Sequence, residues 1–156
     1  MTVLVRRATS HFRSAVFQFF DHTGDIGVDI DAADPGALFA DAARAFSETI
    51  TDREGLAADE LIEVSLSADA IDLLLVDWLS ELVYRFDADG WLARDVEVEV
   101  SGTSASDQWT LRAHLSGARL DPERHEVRVL VKAVTYHALE VVQIGPRWHA
   151  RVIFDI

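Results

Sequence analysis

Residues 25–31 read Asp-Ile-Gly-Val-Asp-Ile-Asp, and this alternation leaves the backbone little choice. Only an extended strand puts Ile26, Val28 and Ile30 on one face and Asp25, Gly27, Asp29 and Asp31 on the other. The run before it, residues 16–20, is rich in aromatic and β-branched side chains and reads as a second strand. His22-Thr23-Gly24 reads as the turn between them. The stretch FFDHTGDIGVDID is therefore a hairpin that carries four aspartates in thirteen residues. Its apolar face commits the chain to a sheet with a covered side.

What covers it follows in the sequence. Asp34-Pro35 opens a helix, because Asp caps free N–H groups and Pro suits the first helical position. Leu38, Ala42, Phe46 and Ile50 recur every four residues, with Phe39 and Ala43 widening the stripe. A strand is predicted over 60–67 and a second helix over 69–86. On that helix Ile71, Leu74, Leu75, Trp78, Leu79, Leu82, Val83 and Phe86 form one broad apolar face, which marks it as the more buried of the two. Glu81 and Arg85 are spaced to pair. Beyond the turn cluster at 87–90 the pattern is nearly all strand: 93–101, 108–115, 127–137, 138–144 and 148–156. No linker or repeat divides the chain. The expected architecture is α+β, a single domain with two helices packed against antiparallel-rich β-sheets. Residues 1–14 read as a flexible N-terminal extension and 15–156 as the domain.

A length of 156 residues and a 49% hydrophobic composition suit one domain with a real core. The formal charge of −13 repels a phosphate backbone, and Lys132 is the only lysine. Tight direct binding of nucleic acid is disfavoured; cations or a basic protein surface are the partners this field attracts. The same acidity also serves plain solubility. Zero cysteines exclude disulfides, zinc–thiolate sites and thiol catalysis, and fit a cytoplasmic setting. No apolar run approaches the roughly 20 residues of a membrane helix, so no membrane association is expected.

Three places carry chemistry. Asp25, Asp29 and Asp31 share a strand face, and like charges at that spacing call for a cation or a basic side chain. Hard oxygen donors suit Ca²⁺ or Mg²⁺, although exposed strand faces are often acidic without binding anything. In the closing RWHARVIFDI, Asp155 and the α-carboxylate of Ile156 would complete a cage with Asp25, if that strand end meets the Asp21–Asp25 turn. In KAVTYH, Thr135 and His137 alternate with Lys132 and Tyr136, so one pocket receives them all only if the strand bulges or ends. No phosphate-binding loop, nucleophile elbow or H-E-x-x-H motif occurs. A small metal-dependent phosphohydrolase built on Asp21, Asp25, His137 and Asp155 is the alternative reading, though no nucleophile is evident.

FFDHTGDIGV, DLLLVDWLSELVYRFD, VKAVTYHALEV and RVIFDI, in this order and spacing, resemble the archease family from about residue 17 to 156. Gly24 stands where that family more often has Ala. The resemblance implies a protein cofactor rather than an enzyme. Its partner would be an RtcB-type RNA ligase, and it would promote that ligase's metal- and GTP-dependent guanylylation and multiple turnover in tRNA splicing or RNA repair. RNA would be met only through the ligase. The resemblance further implies a divalent metal, Ca²⁺ with Mg²⁺ or Mn²⁺ as alternatives, on Asp25, Asp155 and Ile156. Asp21, His22 and His137 would stand beside it.

Overall fold

The computed structural model describes residues 2–7, 16–22, 24–103, 105 and 107–156. In chain order its elements are β1 (Thr2–Arg7), β2 (Val16–His22), β3 (Asp25–Ala32), α1 (Pro35–Ile50), β4 (Glu60–Ala68), α2 (Ile71–Asp89), β5 (Trp91–Ser101), β6 (Trp109–Arg119), β7 (Ala133–Ile144) and β8 (Arg147–Asp155). A short 3₁₀ turn, Arg53–Gly55, follows α1. The alternating segment, β3, is the middle of a five-stranded sheet ordered β1-β2-β3-β8-β7, and β4-β6-β5 form a second sheet. Every pairing is antiparallel. The expected α+β class with two helices is what the chain adopts.

The apolar faces meet as the alternation requires. Val28 and Ile30 of β3 and Ala150, Val152 and Phe154 of β8 are fully buried. Asp34 caps α1, accepting from the Ala37 N–H at 2.8 Å. α1 then runs between the layers, touching β2, β3 and β8 on one side and β5 and α2 on the other. α2 packs Leu74, Leu75, Trp78, Leu79 and Leu82 inward, and the Trp78 Nε1–H donates to the Phe39 carbonyl at 2.9 Å. Glu81 and Arg85 pair at 2.8 Å as their spacing predicts.

Four features differ from the sequence reading. α1, not α2, is the more buried helix. Twelve α1 residues are buried, including Asp41, Ser47, Glu48 and Thr49. Some of their partners are ones that no local pattern announces: the Ser47 hydroxyl donates to the Ala93 carbonyl, and Arg44, paired with Asp41 three residues before it, donates to the Val96 carbonyl. Burial lowers the pKa of Arg44, with the charge of Asp95 opposing that effect.

Second, residues 2–7, assigned to a flexible extension, form β1 and pair with β2. Positions 1 and 8–14 of that extension lie outside the described residues. Third, 127–137 and 138–144 are not two strands. One strand, β7, spans Ala133–Ile144, and its pairing with β8 shifts between Thr135 and Glu140. Four residues of β7, 136–139, thus oppose the single residue Val152, and Ala138 takes φ 56° inside this bulge.

Fourth, residues 127–132 run outside the sheet. Their ends are tied by the Arg128 N–H to the Ile50 carbonyl and the Lys132 N–H to the Asp155 carbonyl, both at 2.7 Å. The Arg128 guanidinium also reaches the Glu48 carbonyl at 2.8 Å and the buried Glu48 carboxylate at 3.5 Å. It thereby supplies a cation to the C-terminal end of α1, where the helix dipole favours one.

Candidate functional site

The outer face of the five-stranded sheet is organised in cross-strand rows. Gln18, Asp29 and Arg151 lie opposite one another, with Glu140 next on β7. The Arg151 guanidinium takes both oxygens of Asp29, Nε to Oδ1 at 2.7 Å and Nη2 to Oδ2 at 2.8 Å. That pairing raises the pKa of Arg151. Asp31 accepts from the Nε of Arg147 at 2.9 Å, one row further on. Two of the three aspartates on this face are therefore matched by arginines of β8. They are structural ion pairs, neither ligands nor idle charge.

The next row holds Phe20, Gly27, Ile153 and Thr135. The Phe20 ring lies over Gly27, so that a Cβ there would collide with the far end of the ring. The Arg151 guanidinium lies 4.7 Å above the same ring. Ile153 is only 1% exposed although it faces outward, so this part of the face is covered.

The end row is different. His22 pairs with Asp25 and Ala133 with Asp155. Continuing the register of Ile26 with Phe154 by one residue sets Asp25 opposite Asp155. Directly opposed residues in antiparallel strands have Cα atoms about 4.5–5.5 Å apart. The extended register thus puts two carboxylates in one row on the same face, and among the described residues no basic side chain pairs with either. Like charges directly opposite destabilise a sheet. His22 stands in the same row with a buried Nδ1 that has no hydrogen-bond partner among the described residues. The bulge of β7 brings His137 across to it, with ring centroids 5.0 Å apart. The His137 N–H donates to the Thr135 hydroxyl at 3.2 Å, which helps shape the bulge.

His22, Asp25, Asp155 and His137 are thus gathered at one end of the sheet, and Ile156 follows Asp155 directly, half-buried against the core. Asp21 is not part of this row. It pairs with Ile26 on the opposite face and is exposed. Lys132 contributes its backbone N–H to the Asp155 carbonyl, while its side chain is exposed. Among the described residues no three His, Asp or Glu side chains form a ready-made metal cage. The donor chemistry nevertheless suits a hard cation. Two carboxylates of one row lack a counter-charge among the described residues, and the His22 imidazole of the same row has a nitrogen with no hydrogen-bond partner among them. The bulge was the missing signal: no letter in KAVTYH marks the left-handed residue at Ala138 that brings His137 to His22.

Residues 17–156 match the Archease protein family (MTH1598/TM1083). The chain is 34% identical over 136 residues to the protein archease of Methanopyrus kandleri, covering 87% of this chain and 96% of that one. It is 34% identical over 143 residues to the protein archease of Archaeoglobus fulgidus, covering 90% and 98%. The solution structure of protein 1598 of Methanobacterium thermoautotrophicum superposes with a TM-score of 0.74 at 33% identity, covering 90% of this chain and 98% of that one. The crystal structure of a Thermotoga maritima archease, described as a possible chaperone, shares the fold at a TM-score of 0.59 and 18% identity, over 88% and 94% of the two chains.

Proposed function

Because this chain belongs to the archease family, we propose that it activates an RtcB-type RNA ligase, promoting that ligase's metal- and GTP-dependent guanylylation and its multiple turnover. It acts as a cytoplasmic protein cofactor, not as an enzyme with its own substrate. The observation that carries this reading is the end row of the larger sheet, where the register aligns Asp25 with Asp155 and neither has a basic partner among the described residues, while the neighbours Asp29 and Asp31 are matched by arginines. An unrelieved carboxylate pair at an exposed strand end is costly to the fold, and a role toward a cation or a basic partner accounts for its presence.

In this reading Asp25 and Asp155 would hold a divalent cation, with Ile156 next to them. A cation there would offset phosphate charge as a nucleoside triphosphate approaches the ligase. The chain's own contribution is positional. Continuing the β3–β8 register would bring the two carboxylates into one row, and the Lys132 N–H donates to the Asp155 carbonyl. His22 stands in the row, and His137 of β7 packs its ring against it. The surface charge of −13 favours encounter with a basic partner and disfavours RNA held by this chain alone. The description of the Thermotoga archease as a possible chaperone agrees with action on a protein.

The test is RNA ligation by the cognate ligase at substoichiometric enzyme with GTP and divalent metal. Multiple turnover on adding this protein supports the reading. Unchanged single turnover contradicts it, and phosphate release by this protein alone would establish the hydrolase alternative.

A further inference from the structure

Beside the acidic row lies a groove of about 520 Å³ between α2 and residues 130–134. Val83 and Val131 line it, and Tyr84 and Leu130 stand on it 67% and 57% exposed. Two large apolar side chains on one concave feature are a recognition surface rather than scattered exposure. The segment forming one wall is held at its two ends, and among the described residues 129–131 make no backbone–backbone hydrogen bonds. The groove is also continuous with the site. Lys132 and Ala133 line it, and the first donates its N–H to the Asp155 carbonyl while the second is the cross-strand partner of Asp155.

We propose that this groove docks the same ligase partner, through an apolar side chain of that partner flanked by a cation. The inference rests on the activator reading above and assigns it a contact surface. Charge argues for the flanking cation: Asp87 lies on the α2 wall and the whole molecule is strongly negative, against Lys132 alone on the facing segment. Tyr84 and Leu130 provide binding, and Asp25 with Asp155 acts on the bound ligase.

The experiment titrates the cognate ligase with wild-type protein, Tyr84→Ser, Leu130→Ser, the double variant, and Leu61→Ser. Leu61 is 83% exposed on β4 of the other sheet and serves as an apolar surface control. The expected result is an affinity loss of about 10-fold or more in the double variant, with full stimulation recovered at saturation. Leu61→Ser should bind as wild type. All three groove variants change exposed residues, and melting curves matching wild type establish that they fold. A folded double variant with wild-type affinity overturns the groove while leaving the activator reading intact. Equal loss in Leu61→Ser also overturns it. A concentration-dependent dimer of the wild type that the double variant abolishes would assign the groove to a second copy instead. A wild-type protein that does not bind the ligase at all overturns the activator reading and the groove with it.

Discussion

Arg151 and Asp29 face each other across β8 and β3, 122 residues apart in sequence, and join through two hydrogen bonds of 2.7 and 2.8 Å. The pair converts one aspartate of the acidic hairpin from a burden into a cross-strand link. Asp29→Asn should therefore lower stability by less than about 1 kcal/mol, with the difference shrinking at high salt, as expected of a partly exposed pair. Urea melts at low and high ionic strength measure this. Ligase stimulation should be unaffected.

The neighbouring Asp25 should behave in the opposite sense. Its neutralisation relieves repulsion with Asp155, so Asp25→Asn should leave stability unchanged or raise it by up to about 1 kcal/mol in metal-free buffer. Added Ca²⁺ should raise the melting temperature of the wild type and not that of Asp25→Asn, since only a ligand that binds the folded state stabilises it. A thermal shift series with and without chelator separates the two effects. A shift of equal size in both proteins would remove Asp25 from the cation site.

At the far end of α1, Arg128 faces a Glu48 side chain that is only 7% exposed. Arg128→Met removes the ion-pair partner of a buried carboxylate and a donor to the Glu48 carbonyl. We expect a loss of about 1–3 kcal/mol, the cost of leaving a buried acceptor short of one partner, because Arg128 is itself 35% exposed and the Arg53 N–H still donates to the Glu48 carboxylate. Adding Glu48→Gln should recover part of it, because the uncompensated charge is then gone. Denaturant midpoints of the single and double variants give the coupling directly.

Gly27 is required by a close approach, not by a special backbone angle. A methyl there meets the far end of the Phe20 ring. Gly27→Ala should cost about 1–2 kcal/mol through displacement of the ring. Phe20→Leu in the same background should cost less than the two single changes added together. Chemical melts of the four proteins in that cycle test the contact.

The hairpin and both helices were legible because each is written locally: alternation for β3, the Asp34-Pro35 start for α1, and a broad apolar stripe for α2. The order of burial between the helices was not. The small residues Ala42, Ala43 and Ala45 let α1 sit between the layers, while its buried Asp41 and Glu48 depend on Arg44 and Arg128, the latter 80 residues away. The single bulged strand β7 was unreadable for a related reason. The left-handed conformation of Ala138 is imposed by the surrounding fold, since alanine has no preference for it. Within the site, resemblance singled out Asp25 and Asp155, but only the strand register distinguishes Asp25 from Asp29 and Asp31, whose arginine partners lie at the other end of the chain.

That distinction is the central claim, and one comparison tests it most directly. Asp25→Asn and Asp29→Asn remove the same charge from the same strand face, two rows apart. Multiple-turnover RNA ligation by the cognate ligase should be stimulated fully by Asp29→Asn and not at all by Asp25→Asn, with both variants folded. Equal stimulation by the two, or equal loss, would contradict the account, because the acidic end row would then have no role of its own.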